Sequence, residues 1–201
     1  MRQSDPYEEP LEEERLGEVL WRRLDAVSLE RCRITRVNGL HAIVGTVLTA
    51  VDARPFQVNY LVQCGLDWVT RHVHLTTMGD AGGKSLELTR DESGRWTRGG
   101  PAPRDIPEVS GLQDIDLQIT PSTNTLPIQR LRLPVGASAS AEAVWIRFPD
   151  LSVERLPQEY TRLADHRYRY SSNGGGFRAE LEVDERGIVT RYGEIWERVT
   201  G

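Results

Sequence analysis

Two aspartates at positions 114 and 116 are the first candidates for chemistry, because paired carboxylates on one strand face can share a proton or a cation. Asp114 and Asp116 alternate with Ile115 and Leu117, and this period of two predicts a strand whose apolar side chains are buried. We therefore expect both carboxylates to lie on a solvated strand face. The alternative is a polar role, such as binding the backbone of the loop formed by residues 120–124.

Other polar side chains that could join Asp116 in a pocket are widely spaced: Asn124, Arg130, Gln158 and Tyr160. Because these residues are distant in sequence, only the fold could gather them into the polar pocket of an enzyme. The simpler interpretation is that Asn124 caps a helix while Arg130 pairs with Asp116. The sequence contains neither a Gly-x-Ser-x-Gly elbow nor a Cys-His signature, so nucleophilic catalysis has no local support.

Two further patterns resemble a metal site and a phosphate-binding loop, but neither motif is complete. His72 and His74 would share one face of a strand, but the other two histidines are far away in the sequence. Residues 78–85 lack the first glycine of a phosphate-binding loop, since Met78 stands there, and a strand-like Leu-Glu-Leu run follows. We expect exposed strand histidines and a hairpin turn, with neither a metal nor a cofactor.

Composition limits the class of protein. The chain has 201 residues, of which 38% are hydrophobic and 27% charged, a balance typical of a globular protein. A net charge of −5 without a basic stripe argues against nucleic acid as a partner. No window approaches about 18 consecutive apolar residues, so we expect no membrane span. Met1–Arg15 is acidic and carries no secretory signal, so we expect the cytoplasm, with Cys32 and Cys64 as buried free thiols.

Short strand-like runs separated by turn signals fill the chain from Cys32 onward and predict a mainly β protein with little helix. Two segments, residues 82–98 and 175–191, match without a gap at nine of 17 positions. Each contains a Gly-Gly turn, a strand, an Asp-Glu-x-Gly turn and a second strand, so we predict two related halves. We assign residues 1–14 to a flexible acidic tail and residues 15–201 to a single β-roll domain.

The one interior helix is expected between residues 122 and 130, because Pro121 cannot continue the strand before it. Thr123 or Asn124 could cap this helix. Alternation over residues 130–133 then predicts a strand. We expect the segment to pack inside the sheet with three apolar side chains buried: Leu126, Ile128 and Leu131.

The residues around this segment resemble a known family. The matches are Asp116-Leu117, Thr120-Pro121, residues 123–128 with Arg130-Leu131, and then residues 145–149, 158–160 and 187–196. On these residues the chain resembles the glycolipid-binding family of bacterial spiral β-roll proteins. It departs from the family at Gln129, where Arg is usual, and at Gly193, where Pro is usual.

The resemblance implies a long, curved antiparallel sheet, a spiral β-roll or half-barrel, wrapped around one short helix and often dimeric. This fold is similar to that of lipoprotein-localisation carriers, which hold acyl chains, but fold alone does not establish function. We therefore expect a homodimeric, non-enzymatic binding protein for a lipid-like ligand, with a glycolipid as the particular candidate. The alternatives are a cytosolic enzyme and a dimeric interaction protein without a small ligand. The ligand-binding candidates are Asp116, Asn124, Arg130, Trp145, Gln158 and Tyr160.

Overall fold

The computed structural model describes residues 13–80 and 82–201 and is mainly β, with about 60% of residues in strands. The strands of the first half are β1 (Glu13–Arg23), β2 (Ser28–Val37), β3 (Leu40–Val51), β4 (Arg54–Cys64), β5 (Thr70–Gly79), β6 (Gly82–Arg90), β7 (Trp96–Arg98), β8 (Arg104–Asp105) and β9 (Asp114–Leu117). The strands of the second half are β10 (Ser138–Ser140), β11 (Ala143–Ile146), β12 (Val153–Leu156), β13 (Gln158–Ala164), β14 (Arg167–Ser172), β15 (Phe177–Val183), β16 (Val189–Tyr192) and β17 (Trp196–Thr200). The helices are α1 (Thr125–Leu131) and three short 3-10 helices, Pro107–Val109, Ser122–Asn124 and Asn173–Gly175.

Fourteen of these strands form one long antiparallel sheet, which is open and does not close into a barrel. Its order is β10-β13-β14-β15-β16-β17-β1-β2-β3-β4-β5-β6-β7-β8. The first and last strands pair in the middle of the sheet, where Trp21 of β1 faces Arg198 of β17. The mainly β fold with one short helix is therefore confirmed.

The sheet buries one face because its strands alternate small and large apolar residues with polar ones. In β3, Ile43 and Val47 have no exposed surface, while Leu48 next to Val47 is 54% exposed. One hydrophobic core runs continuously from Val19 in β1 to Trp196 in β17. The alternation thus determines which side of every strand faces the interior.

A second, three-stranded sheet was not expected from the sequence. Its order is β12-β11-β9, and β9 pairs with β11 in parallel, with Asp116 opposite Trp145. Because β9 lies inside the roll, both of its faces are covered, and Asp114 is only 1% exposed. The prediction that Asp114 and Asp116 share a solvated face is therefore wrong.

The segment that follows β9 fills the hollow of the long sheet. The 3-10 helix Ser122–Asn124 runs directly into α1, and residues 121–128 are buried throughout. Its side chains form hydrogen bonds to strands as far apart as β4 and β13. The predicted position of the helix inside the sheet is confirmed, with Leu126 and Ile128 buried and Leu131 partly buried.

Two details of this segment differ from the sequence predictions. Neither short helix has a hydrogen bond from a capping side chain, because the buried Asn124 side chain bonds elsewhere. Residues 130–133 do not form a strand. The helix continues to Leu131 and then stops at Arg132, whose φ of 44° is left-handed.

The two matching segments of the sequence form similar hairpins, β6–β7 and β15–β16. Gly94 N donates to Asp91 O at 3.0 Å in the first turn, and Gly187 N donates to Asp184 O at 2.9 Å in the second. Both glycines have the positive φ that the turn requires. Descent of the two halves from one unit stays a prediction.

Several smaller predictions can be compared with the structure. The predicted flexible tail lies mostly outside the described residues, but Glu13 and Glu14 already belong to β1. Cys32 and Cys64 are buried and free. The phosphate-loop-like residues lie where β5 ends and β6 begins, and Gly79 pairs with Gly82 across a hairpin.

Within 13–80 and 82–201, no three His, Cys, Asp or Glu side chains lie close enough to hold a metal ion. No helix in this part of the chain is long and apolar enough to cross a membrane.

Candidate functional site

A cleft of about 310 Å³ opens between β9 and the four strands β14–β17, and we call it the Asp116 cleft. It is bounded by strands of both sheets and by the 3-10 helix that carries Asn124. The lining residues are Arg23, Asp116, Leu117, Gln118, Thr120, Asn124, Trp145, Leu156, Tyr170, Ser172, Asn173, Phe177, Tyr192, Ile195 and Trp196.

Asp116 is the only carboxylate among those lining residues. Its Oδ2 accepts a hydrogen bond of 2.6 Å from Nε2 of Gln158, which also donates to the Tyr170 hydroxyl at 3.0 Å. Burial raises the pKa of Asp116 to about 6, and the hydrogen bond from Gln158 opposes that rise. Since Gln158 engages Oδ2, the second oxygen of Asp116 is free of hydrogen bonds from the described residues.

Asn124 is held in the wall of the cleft by two hydrogen bonds. Its Oδ1 accepts from the Tyr160 hydroxyl at 2.8 Å, and its Nδ2 donates to the carbonyl oxygen of Pro121 at 3.1 Å. An amide nitrogen has two hydrogens, so one donor of Asn124 is left over. Tyr160 is itself 1% exposed and stands behind Asn124, outside the cleft lining.

An aromatic wall faces these polar groups. Tyr170, Phe177 and Tyr192 contact one another edge to face, with ring centroids 5.9–6.1 Å apart. Trp145 and Trp196 complete the wall, and the Arg23 guanidinium lies 5.8 Å from the centre of the Trp196 ring. Such a combination of aromatic surface and a few fixed polar groups is typical of small-ligand sites.

Arg130, one of the sequence candidates, points away from the cleft. It forms a bidentate ion pair with Asp114, with Nε 3.0 Å from Oδ1 and a terminal nitrogen 2.5 Å from Oδ2. The expected pair of Arg130 with Asp116 is therefore wrong. Burial raises the pKa of Asp114, and Arg130 opposes this by hydrogen bonding and by its charge.

The structure thus groups the six candidates in three ways. Asp116, Asn124 and Trp145 line the cleft, Gln158 and Tyr160 orient two of them from behind, and Arg130 lies elsewhere. The aromatic residues 170, 177 and 192 were missed as lining residues. Tyr170 and Phe177 belong to period-two runs, but such runs do not reveal which side chains border a cavity.

A buried polar cluster around Glu30 was also missed. Glu30 has no exposed surface, and its Oε1 accepts hydrogen bonds from the Tyr60 hydroxyl and, at 2.7 Å, from Thr120. Ser122 joins the cluster, 2.8 Å from the Tyr60 hydroxyl. Burial raises the pKa of Glu30 to about 8, while Thr120 and Tyr60 lower it. The sequence of β2 contained evidence for this cluster. Glu30 and the buried Cys32 are two residues apart, so their side chains lie on the same face of the strand.

Together the open roll, the enclosed helix and the cleft define a class of β-roll protein with a single short interior helix. A family model described as "Putative glycolipid-binding" matches residues 18–198, and the chain belongs to this family. The resemblance deduced from the sequence is therefore confirmed.

A solved structure supports the same assignment. The chain is similar to a DUF1089 family protein from Pseudomonas aeruginosa, with 27% sequence identity and a TM-score of 0.73. The match covers 99% of this chain and 98% of that one. No curated protein matches the chain significantly.

Proposed function

We propose that this protein binds a glycolipid by its sugar headgroup, in the Asp116 cleft, without transforming it. The observation that carries the proposal is the pairing of an aromatic wall with Asp116 and Asn124 in one cleft. Sugar rings have apolar C–H faces that pack on aromatic rings, and hydroxyls that donate to carboxylates and accept from amides. The family's description agrees with such a ligand.

The size of the cleft favours a headgroup over a whole lipid. At about 310 Å³ it lies at the lower end of the ~300–1,000 Å³ that ligand pockets span. The interior of the roll is occupied by a continuous core, in which Trp21 and Leu126 have no exposed surface. We therefore propose that the headgroup is the recognised part and that the acyl chains remain outside the roll. This differs from the acyl-chain binding that the carrier analogy implies.

The enzyme alternative rests on Asp116, whose raised pKa would let it exchange a proton near neutral pH. Hydrolysis of a glycosidic bond normally uses two carboxyl groups, one on each side of the bond. Asp116 is the one carboxylate in the cleft lining, and the neighbouring Asp114 is bound to Arg130. Binding without reaction therefore accounts better for the site.

Mass spectrometry under native conditions tests the proposal on freshly purified protein. We expect a bound species whose extraction yields a glycolipid, and its loss from the Asp116→Asn variant. A matched control is Glu159→Gln, because Glu159 is exposed in the strand that carries Gln158. Protein that carries no lipid, or that retains the same lipid in both variants, would contradict the proposal.

We also propose a homodimer, as the family resemblance implies. The free edges of the long sheet are β8 and β10, strands of two and three residues. Short edge strands offer little backbone for pairing, so another surface would form the contact. Sedimentation that shows a monomer of the 22.7 kDa chain at micromolar concentration would contradict this part of the proposal.

A further inference from the structure

Building on the proposed function, we propose that the headgroup recognised in the Asp116 cleft is an amino sugar, whose protonated amine binds the free oxygen of Asp116. Three features of the cleft point to this class of ligand. They are a carboxylate that no cation neutralises, an oxygen of that carboxylate that remains accessible, and aromatic rings that attract a positive charge.

The charge balance of the cleft lacks a cation for Asp116. The lining contains one anionic and one cationic side chain, Asp116 and Arg23. Arg23 is already neutralised, because its Nε and a terminal nitrogen donate to the two carboxylate oxygens of Asp25 at 2.6 and 3.1 Å. Arg130 is likewise bound to Asp114. No lysine, arginine or histidine of the described residues forms an ion pair with Asp116, so a ligand can supply the missing positive charge.

Glu30 shows how a carboxyl group without a cation can be accommodated in a different way. Burial raises the pKa of both Glu30 and Asp116, and no cation opposes the rise in either case. With a pKa of about 8, Glu30 stays protonated and neutral near neutral pH. With a pKa of about 6, Asp116 is mostly ionised under the same conditions. A cationic ligand therefore gains more from Asp116 than a neutral ligand does.

The free oxygen of Asp116 is accessible from the cleft. Asp116 is partly exposed, and Gln158 donates only to its Oδ2. Oδ1 accepts no hydrogen bond from a described residue, yet it keeps accessible surface, unlike Oε2 of Glu30, which has no partner and is enclosed by protein atoms. An ammonium group in the cleft can therefore donate to Oδ1 while Gln158 keeps its bond to Oδ2.

Aromatic rings with accessible surface lie beside this carboxylate. Phe177 and Tyr192 are partly exposed members of the aromatic wall, with ring centroids 6.1 Å apart. Burial, followed by the charges of Tyr170 and Asp116, raises the pKa of the Tyr192 hydroxyl, so this residue lies near Asp116. Ring faces attract both an ammonium group and the C–H groups of a sugar next to it.

Two exposed amide side chains of the lining favour an amine carried on a sugar over a simple amine. Oε1 of Gln118 accepts from the backbone nitrogen of Phe148 at 2.9 Å, which leaves the amide nitrogen of Gln118 free to donate. Asn173 is also exposed, and its side chain has no hydrogen bond to a described residue. Sugar hydroxyls can use both amides, whereas an alkyl ammonium can use neither as a donor.

Three octyl amphiphiles that differ only in their headgroup test this assignment on the full chain near neutral pH. They are octyl β-D-glucosaminide, octyl β-D-glucoside and octylammonium chloride, each titrated below its micelle concentration in a calorimeter. We expect the glucosaminide to bind about tenfold more tightly than the glucoside, because a hydrogen bond between opposite charges replaces one between a hydroxyl and a carboxylate. Octylammonium, which has no sugar ring, should bind more weakly than the glucosaminide.

Asp116→Asn keeps the shape of the side chain and removes its charge. We expect the preference for the glucosaminide to disappear in this variant and to persist in Glu159→Gln, which removes an exposed charge from β13. Carbon-13 NMR of the Asp116 carboxyl group gives a second measurement on the unmodified chain. The glucosaminide should lower the pKa of Asp116, because a bound ammonium stabilises the carboxylate, and the glucoside should not.

The possible results separate the amino sugar from sugar recognition in general. Equal affinities for the glucosaminide and the glucoside would overturn the amino-sugar assignment and leave sugar recognition in place. A preference that survives in Asp116→Asn, or octylammonium that binds as tightly as the glucosaminide, would overturn the assignment as well. If neither glycoside binds, the assignment and the proposed function both fail.

Discussion

Tyr160 donates its hydroxyl hydrogen to Oδ1 of Asn124 at 2.8 Å, although the two residues stand 36 positions apart. The bond joins β13, the strand next to the edge strand β10, to the short helix that precedes α1, and both side chains are buried. It turns the amide of Asn124 so that one edge is fixed by Tyr160 and Pro121 while the residue borders the Asp116 cleft. This hydrogen bond therefore contributes both to the packing of the scaffold and to the geometry of the candidate site.

Loss of that contact should lower stability measurably. Asn124→Ala leaves the buried Tyr160 hydroxyl without its acceptor, so we expect the free energy of unfolding to fall by about 1–3 kcal/mol. Tyr160→Phe should cost a similar amount, because it leaves Asn124 Oδ1 unpaired. Denaturant unfolding of both variants and of the double variant measures the coupling. If the two losses simply add, the bond contributes nothing and our interpretation fails.

The pair of Arg130 and Asp114 should be structural. Arg130→Ala leaves a nearly inaccessible carboxylate unpaired, so we expect a loss of about 3–5 kcal/mol. Arg155→Ala, which breaks the exposed pair with Glu142, is the matched control and should cost less than about 1 kcal/mol. Thermal unfolding measures both. Equal costs for the two variants would return Arg130 to the list of ligand candidates.

Glu30 should make stability depend on pH. The pKa is raised from 4.5 to about 8 by burial, so the folded chain keeps a proton that the unfolded chain releases. Between these two values the free energy of unfolding should fall as pH rises, by about 1.4 kcal/mol per pH unit, and then level off. Asp116 adds a slope of the same sign up to about pH 6.

The difference between the unmodified chain and Glu30→Gln isolates the contribution of Glu30. The amide has no charge to release, so the variant should lose the slope between about pH 6 and 8. Glu159→Gln, an exposed substitution, should keep it. Urea unfolding at a series of pH values supplies the measurement, and parallel profiles for Glu30→Gln and the unmodified chain would refute the assignment.

Most of the fold could be predicted from the sequence, because buried and exposed side chains alternate with a period of two along the strands of an antiparallel sheet. The alternation around Ile115 and Leu117 correctly marked two buried side chains, and both are at most 1% exposed. The same alternation misled us about Asp114, because a strand inside a roll has no solvated face. Period-two alternation shows that one face of a strand is buried, but it does not show whether the opposite face is covered as well.

The site was less predictable for a different reason. Asp116 and Gln158 meet only because β9 and β13 belong to two sheets that pack together, and no local pattern encodes that approach. No local pattern distinguishes Asp114 from Asp116 as the partner of Arg130, and the structure pairs Arg130 with Asp114. Glu30 could have been found, since a carboxylate in phase with buried apolar residues must have partners.

The most direct test of the central claim is to titrate octyl β-D-glucoside, below its micelle concentration, into the unmodified protein and into Asp116→Asn. Tetraethylene glycol octyl ether, with the same chain and no sugar, serves as the control ligand. We predict that the glucoside quenches or shifts tryptophan fluorescence from the cleft and that Asp116→Asn weakens its binding about tenfold, because a carboxylate forms the stronger hydrogen bonds to hydroxyls. Equal binding of the two amphiphiles, or an unchanged affinity in Asp116→Asn, would contradict sugar recognition by this cleft.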